Sequence, residues 1–412
     1  MSEWKDLRLG DITKVITKGT TPSNIGADFT ESGIKYIRSE MLKQSKHLSN
    51  DGFLYISEDT HSRLRRSQLQ CNDILFSMAG AYLGKTAILR DCDVPSNTNQ
   101  AVAIIRVNEA VADADFVYYY LNLPTTTKLV NSISSQSAQP NINLTQIGDL
   151  ITPMPNLPTQ RRIAAILSSL DAKIENNNKV NAKLEEIAQN LFKEWFVDFG
   201  PFKDGKFVDS ELGPIPEGWR VGTLEETCVE ILRGYTPNYV NSSKYKILNQ
   251  KVNKGSTLDK QYYKYNDEND RGFLSKLAQK GDVLINSLGQ GTLGRIHLYT
   301  QNTTDVIIDQ FITFLRTNIF SKSAYLAFYL SSMSGQAEIM SRITGSTGMW
   351  VLTINNIKKI KLVIPPDSIF EKLNDMICNL YDRIATNSEE NEKLVTLRDT
   401  LLPKLMSGEI EV

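Results

Sequence analysis

The chain has 412 residues, too many for one ordinary hydrophobic core, so two domains are the default expectation. With 41% hydrophobic and 23% charged residues it has a globular composition, and no run approaches the roughly 18 apolar residues of a membrane-spanning helix. A net charge of −1 argues against a wholly basic nucleic-acid binder, while four cysteines without a CxxC pair and three distant histidines exclude a disulfide framework or zinc site.

The first residues, Met1 to Lys5, lack the basic-then-apolar order of a secretory signal, so a cytoplasmic location is expected, with no membrane partner. From Trp4 the chain carries a pattern that returns. Trp4, Leu9, Gly19, Thr21 and Pro22 match Trp219, Leu224, Gly234, Thr236 and Pro237 at an offset of 215, and a basic residue precedes each glycine, Lys18 and Arg233. Further on, Asp73 and Gly80 match Asp282 and Gly289 at 209. Gly84, Gln100, Arg106 and Asn108 then match Gly294, Gln310, Arg316 and Asn318 at 210. That register persists through Pro155/Pro365 and Leu191/Leu401, so the chain is an internal duplication.

Each copy mixes short strand-like runs (Asp73 to Phe76, Ala101 to Val107; Asp282 to Asn286, Phe311 to Arg316) with glycine, proline and asparagine punctuation. A helical patch follows in each, Ala114 to Leu123 and Ser323 to Ser332. The expected fold class is α+β: two repeated modules, over 1–157 and 219–365, separated by two long antiparallel coiled-coil helices with pseudo-two-fold symmetry.

The first long helix is expected over 158–199. Ile163, Leu167, Leu170, Ile174, Leu184, Leu191 and Trp195 fall on steps of four and three, the spacing of a coiled-coil seam. Residues 200–218, with Gly200-Pro201 and Gly213-Pro214-Ile215-Pro216, break the helix and read as a linker. The second helix, over 366–412, repeats the seam at Leu373, Ile377, Leu380, Ile384, Leu394, Leu401 and Leu405. Asparagines interrupt both seams at mid-length: Asn177 and Asn181, then Asn387 and Asn391. A buried asparagine on a seam costs stability but selects one register, and an antiparallel pair would bring the two notches together. Forty residues at 1.5 Å make a rod of about 60 Å, the right order for a spacer between DNA-reading units about 34 Å or its multiples apart.

Charge is uneven. Lys plus Arg against Asp plus Glu is 15 against 16 over residues 1–159 and 20 against 15 over 200–366, whereas 367–412 holds 5 against 10. Only the second module is basic overall, so any DNA surface on the first must be a patch.

Two motifs tempt. Ala79 to Thr86 is one glycine short of a phosphate-binding loop, and Gly289, Gly291 and Gly294 form GxGxxG, but a strand-like run, Arg295 to Tyr299, follows. Each motif is missing from the other copy, so the shared feature is a glycine-rich turn between strands. No Ser/His/Asp order, HExxH or Asn/Asp-Pro-Pro-Tyr/Phe is present, which gives catalysis no foothold.

Several separate stretches together resemble one family: the Gly-x-Thr-Pro turns, the linker Glu211 to Trp219 (ELGPIPEGW), the helix end Phe192 to Phe199 (FKEWFVDF), and Leu402 to Ile410 (LPKLMSGEI). They look like the specificity subunit of type I restriction-modification systems, and the likeness covers essentially the whole chain. The resemblance implies that each module is a target-recognition domain for one half of a bipartite double-stranded DNA sequence. It also implies that the helix pair sets the spacer and docks two methylation subunits, which restriction subunits then join. The chain itself would be non-catalytic and bind no cofactor, with S-adenosylmethionine, ATP and magnesium used by its partners. A coiled-coil adaptor whose globular ends bind protein remains the alternative, and a nucleotide-dependent enzyme would rest on Lys85.

Basic and amide side chains on loops are the DNA-contacting candidates, because Lys and Arg anchor phosphates while Arg, Asn and Gln pair with base edges. They are Lys18, Thr20, Arg38, Lys85, Gln136 and Gln139 in the first module, and Arg233, Tyr235, Asn249, Lys251, Gln290 and Arg295 in the second.

Overall fold

The computed structural model describes residues 4–43, 45–48, 52–134, 140–270, 272–289, 291–345 and 350–412. They form two compact units, one of residues 1–176 with 391–412, the other of residues 177–390. The division passes through both long helices, Leu157–Phe196 and Asp367–Met406, so each unit holds one module and part of each helix.

In the first unit, a four-stranded antiparallel sheet runs in the order Thr13–Lys18, Val102–Val107, Ile74–Ser77, Thr86–Ile88. Strand side chains alternate between faces, and here both faces are covered. Ile74, Phe76, Ala103 and Ile105 enter one core, while Leu75, Val102, Ile104 and Ala87 enter another. Burial on both sides explains why the strands read as continuous apolar runs rather than alternating ones. A smaller sheet of Leu54–Ile56, Ile34–Ile37 and Ser96–Thr98 has its last two strands parallel. Lys5–Arg8 pairs with Ile151–Met154 to close the module.

The helix Ala114–Leu121 buries every residue from Phe116 to Leu121. A helix apolar all round belongs inside a core, and it packs in the same cluster as Ile74 and Phe76.

The second unit repeats this plan. Its main sheet runs Glu230–Arg233, Ile312–Arg316, Val283–Asn286, Ile296–Leu298. Val283, Ile285 and Leu315 face one core, Leu284 and Phe314 the other. The smaller sheet has four strands, Tyr239–Val240, Lys264–Asn266, Lys246–Leu248 and Val306–Ile308, again with one parallel pair. Arg220–Thr223 pairs with Lys361–Ile364 as Lys5–Arg8 does with Ile151–Met154.

The long helices pair antiparallel within each unit. In the second, Asn177 meets Glu390 and Asn181 meets Asn387, so positions advance on one helix as they recede on the other. In the first, Asp171 meets Arg398, and Ile163 and Leu167 share a core with Leu402, Leu405 and Met406. The seam residues Leu191 and Trp195 are only partly buried, whereas Ala188, Phe192 and Phe196 are buried in the second module's core beside Phe370, Leu373 and Ile377. The first helix thus carries a second apolar stripe directed at a module, which the seam spacing alone does not reveal, whereas the seam residues Leu373 and Ile377 of the second helix enter that module's core themselves.

Both long helices end earlier than expected, the second at Met406 rather than at residue 412. The first helix ends at Phe196 rather than Phe199, because Phe199 adopts a left-handed conformation, φ 52°, that stops it. Residues 200–218 are a folded corner rather than a loose linker. Phe207–Val208 pairs with Ile215–Pro216, and Trp219 packs edge-on against Phe199 and Phe202.

Candidate DNA interface

Each module carries the same backbone crossing at its Gly-x-Thr-Pro turn. A Cβ on Gly19 would lie 2.0 Å from the Thr98 carbonyl oxygen, and one on Gly234 would lie 2.2 Å from that of Asp309. Only glycine fits where two chains cross this closely. The next amides seal the crossing: Thr20 N–H donates to Thr98 O at 3.0 Å and Tyr235 N–H to Ile308 O at 2.7 Å. The threonine hydroxyl then donates to a glutamine across the crossing, Thr21 to Gln100 and Thr236 to Gln310 (2.9 Å). The motif's residue types are therefore those that pin the end of the main sheet beside the smaller one.

On this frame the sequence-derived candidates part company. In the first module Lys18 is exposed at its strand end. The Thr20 hydroxyl accepts from Arg66 Nη2 at 3.1 Å and its carbonyl from the Tyr36 hydroxyl at 3.1 Å. Burial pushes the Tyr36 phenol up to about 12, with the Thr21 side chain and the Arg38 charge acting against it. Arg38 pairs with Glu40 at 2.8 Å, and its Nε is buried without a partner among the described residues. Thr20, Tyr36, Arg38 and Arg66 thus gather around one turn. Arg66 was missed by the sequence reading, although the basic run Arg63, Arg65, Arg66 signalled it. Gln136 and Gln139 lie outside the described residues, as does Gln290.

In the second module Arg233 is half-buried, and desolvation lowers its pKa. Its Nη2 donates to Leu352 O at 3.2 Å, and its Nη1 has no partner among the described residues. Lys251 is exposed. Three others are committed internally. The Asn249 amide accepts from Lys251 N–H at 2.8 Å and donates to Tyr262 O at 2.8 Å, forming a buried side-chain turn. Arg295 donates to the Gly291 and Asn253 carbonyls, at 3.1 and 3.4 Å. The Tyr235 hydroxyl donates to Asp270, an acceptor that a choice by basic and amide character passed over.

The glycine-rich turns join strands in both modules, Ile74–Ser77 to Thr86–Ile88 and Val283–Asn286 to Ile296–Leu298. Gly84 and Gly294 have φ of +75° and +81°, the left-handed geometry that favours glycine. The Thr86 hydroxyl is buried and accepts from Asn122 Nδ2 at 2.6 Å, and Lys85 Nζ stands 5.5 Å from the Tyr82 ring centroid. A phosphate loop needs that threonine free and a helix following it. Neither condition holds here.

At mid-helix, Asn177 donates to Glu390 Oε2 at 2.8 Å and Asn387 to Asn181 Oδ1 at 2.8 Å. Asn181 Nδ2 is 3.3 Å from Ser388 Oγ, and Asn391 lies one turn beyond Asn387. Among the described residues, no helix is long and apolar enough to cross a membrane, and no His, Cys, Asp and Glu group is arranged to hold a metal.

The chain is thus a duplication of one α+β module, each copy built around the same glycine crossing. Residues 1–186 and 216–396 match the family model of the type I restriction modification DNA specificity domain, and the chain belongs to that family. It is 27% identical over 423 residues to the type I restriction enzyme MjaIX specificity subunit of Methanocaldococcus jannaschii, covering 100% of this chain and 94% of that one. It is 23% identical over 482 residues to the HindI specificity subunit of Haemophilus influenzae, covering 100% of both. The crystal structure of a type I restriction-modification S subunit from M. genitalium shares the fold, with a TM-score of 0.63 at 16% identity over 98% of this chain and 96% of that one.

Proposed function

We propose that the two modules read the two halves of a bipartite DNA target, one half each. The observation that carries this reading is a shared frame bearing unlike side chains. The glycine crossing and its Thr–Gln clamp recur in both copies, while Arg38 with Glu40 in the first gives way to Asn249 with Lys251 in the second. A duplicated scaffold with dissimilar loops suits two different half-sites in one complex.

In this reading the antiparallel helices set the spacer between half-sites and dock two methylation subunits, which restriction subunits join. The asparagines Asn177, Asn181, Asn387 and Asn391 fix the helix register. The chain is the non-catalytic reader, and S-adenosylmethionine, ATP and magnesium are used by its partners.

Methylome sequencing of a host with and without the chain tests the proposal. A bipartite methylated motif present only with the chain is the expected result. An unchanged methylome refutes it.

A further inference from the structure

Resting on the DNA-reading function above, the turn at Gly289 singles out one side chain that sequence reasoning passed over. We propose that Gln250 reads a base in the second half-site, its amide pairing with the edge of an adenine.

Two polar neighbours of this turn are already committed within the protein. Asn249, one residue earlier, uses its amide on Lys251 and Tyr262. Arg295, across the turn, uses its guanidinium on two backbone carbonyls. Among the described residues Gln250 Oε1, in contrast, is buried against Gly289 with no hydrogen-bond donor, and Thr292 Oγ1 of the same turn is also without a partner. A buried polar atom left unpaired is destabilising, a cost removed when the side chain turns out to a ligand that supplies the donor.

The backbone beneath this amide is held firmly. Gln250 O accepts from Asn286 Nδ2 at 3.1 Å, and Asn286 Oδ1 accepts from Asn253 Nδ2 at 3.0 Å, with both asparagines fully buried. The backbone is thus fixed while the side-chain amide is left free to turn toward a ligand. Gly289 makes room for it: a Cβ there would lie 2.3 Å from Gln250 Oε1.

Comparison of the modules shows that this is not part of the shared frame. Ile34–Ile37 and Lys246–Leu248 hold the same place, since Ile37 pairs with Thr98 and Leu248 with Ile308 in the parallel registers. Two residues beyond each strand stand Ser39 and Gln250. The matching glycine of the first module, Gly80, has open space where its Cβ would be. The filled turn is peculiar to the second copy, as a determinant of one half-site must be.

The chemistry selects the base. An amide oxygen accepts the adenine N6–H and the amide nitrogen donates to N7, a bidentate match that other bases do not offer in the major groove.

The test is selection of duplexes from a randomised library by the chain assembled with its methylation partners, comparing wild type with Gln250→Ala and Gln250→Glu. The alanine variant is expected to lose adenine preference at one position of one half-site, by roughly tenfold to a hundredfold. The glutamate variant is expected to shift that position toward cytosine, whose N4 amino group a carboxylate accepts. The other half-site stays unchanged in both. Wild-type selection by both variants overturns the proposal, and so does loss of all duplex binding by both, which marks a structural residue. A wild-type complex that selects no bipartite sequence refutes the DNA-reading function itself.

Discussion

Arg106 grips Asp73 through two parallel hydrogen bonds, Nε to Oδ1 and Nη2 to Oδ2, each 2.7 Å. Arg316 repeats the grip on Asp282 at 2.8 and 3.2 Å. Both carboxylates are buried at the start of a central strand and also accept a backbone amide, Gln70 N–H on Asp73 and Gln279 N–H on Asp282. Removing one member of such a pair strands a buried charge, at a cost of about 3–5 kcal/mol. Arg106→Ala and Arg316→Ala are each expected to lose that much in urea denaturation. Replacing both partners of a pair by apolar residues of similar volume should recover most of the loss.

The crossing glycines admit no side chain. Gly19→Ala and Gly234→Ala place a methyl within about 2 Å of a carbonyl oxygen and are expected to cost about 1–3 kcal/mol or more. Thermal melting checks this, and an unchanged midpoint for both would show that the crossing yields freely.

The asparagine contacts at mid-helix separate stability from register. Asn387→Leu alone leaves the Asn181 oxygen without its donor and should destabilise by about 1–3 kcal/mol. Replacing Asn181 and Asn387 together by leucine should restore or raise stability while weakening the preference for one register. In the assembled complex the double variant is expected to methylate targets of more than one spacer length. A single unchanged spacer would count against a register role.

His297 sits in the second module with Nδ1 on the Gly255 carbonyl at 2.8 Å, and burial depresses its pKa to about 4. The unfolded chain protonates this ring near its ordinary value of 6.5, so between 6.5 and 4 the unfolded state binds more protons. Stability contributed by the neutral ring is therefore present above pH 6.5 and is lost as pH falls toward 4. Urea midpoints at pH 7.5 and 5 should fall further apart for wild type than for His297→Gln.

Thiol reactivity should divide by environment. Burial pushes the Cys228 thiol up to about 12, whereas Cys92 is exposed. Alkylation of the native protein at pH 8 is expected to modify Cys92 and spare Cys228 until denaturant is added, as mass spectrometry of the digested chain would record.

Much of this fold is legible in the sequence because the two copies obey the same constraints. Asp73 and Arg106 recur as Asp282 and Arg316 since a buried carboxylate needs its guanidinium in both copies, and Gly19 recurs as Gly234 because neither crossing tolerates a Cβ. The docking of the long helices is less legible. Phe192 and Phe196 are as apolar as Leu191 and Trp195, and periodicity does not say which stripe meets a helix and which a module. The candidate interface is the least legible part. Asn249 and Gln250 are neighbours of one chemical type, but the first folds its amide back onto its own loop and the second does not. That difference depends on backbone geometry, which residue type leaves open.

The placement of Leu402, Leu405 and Met406 in the first module's core, with Gly408 packed against Trp4, bears on how the protein is made. Ribosomes deliver those residues only after the entire second module has been synthesised. The first module therefore waits, its apolar face incomplete, while the second already has both of its helix segments, Ala188 to Phe196 and Phe370 to Ile377, within reach. Order of synthesis and order of completion are reversed, and the module translated first is the last to have its apolar face covered.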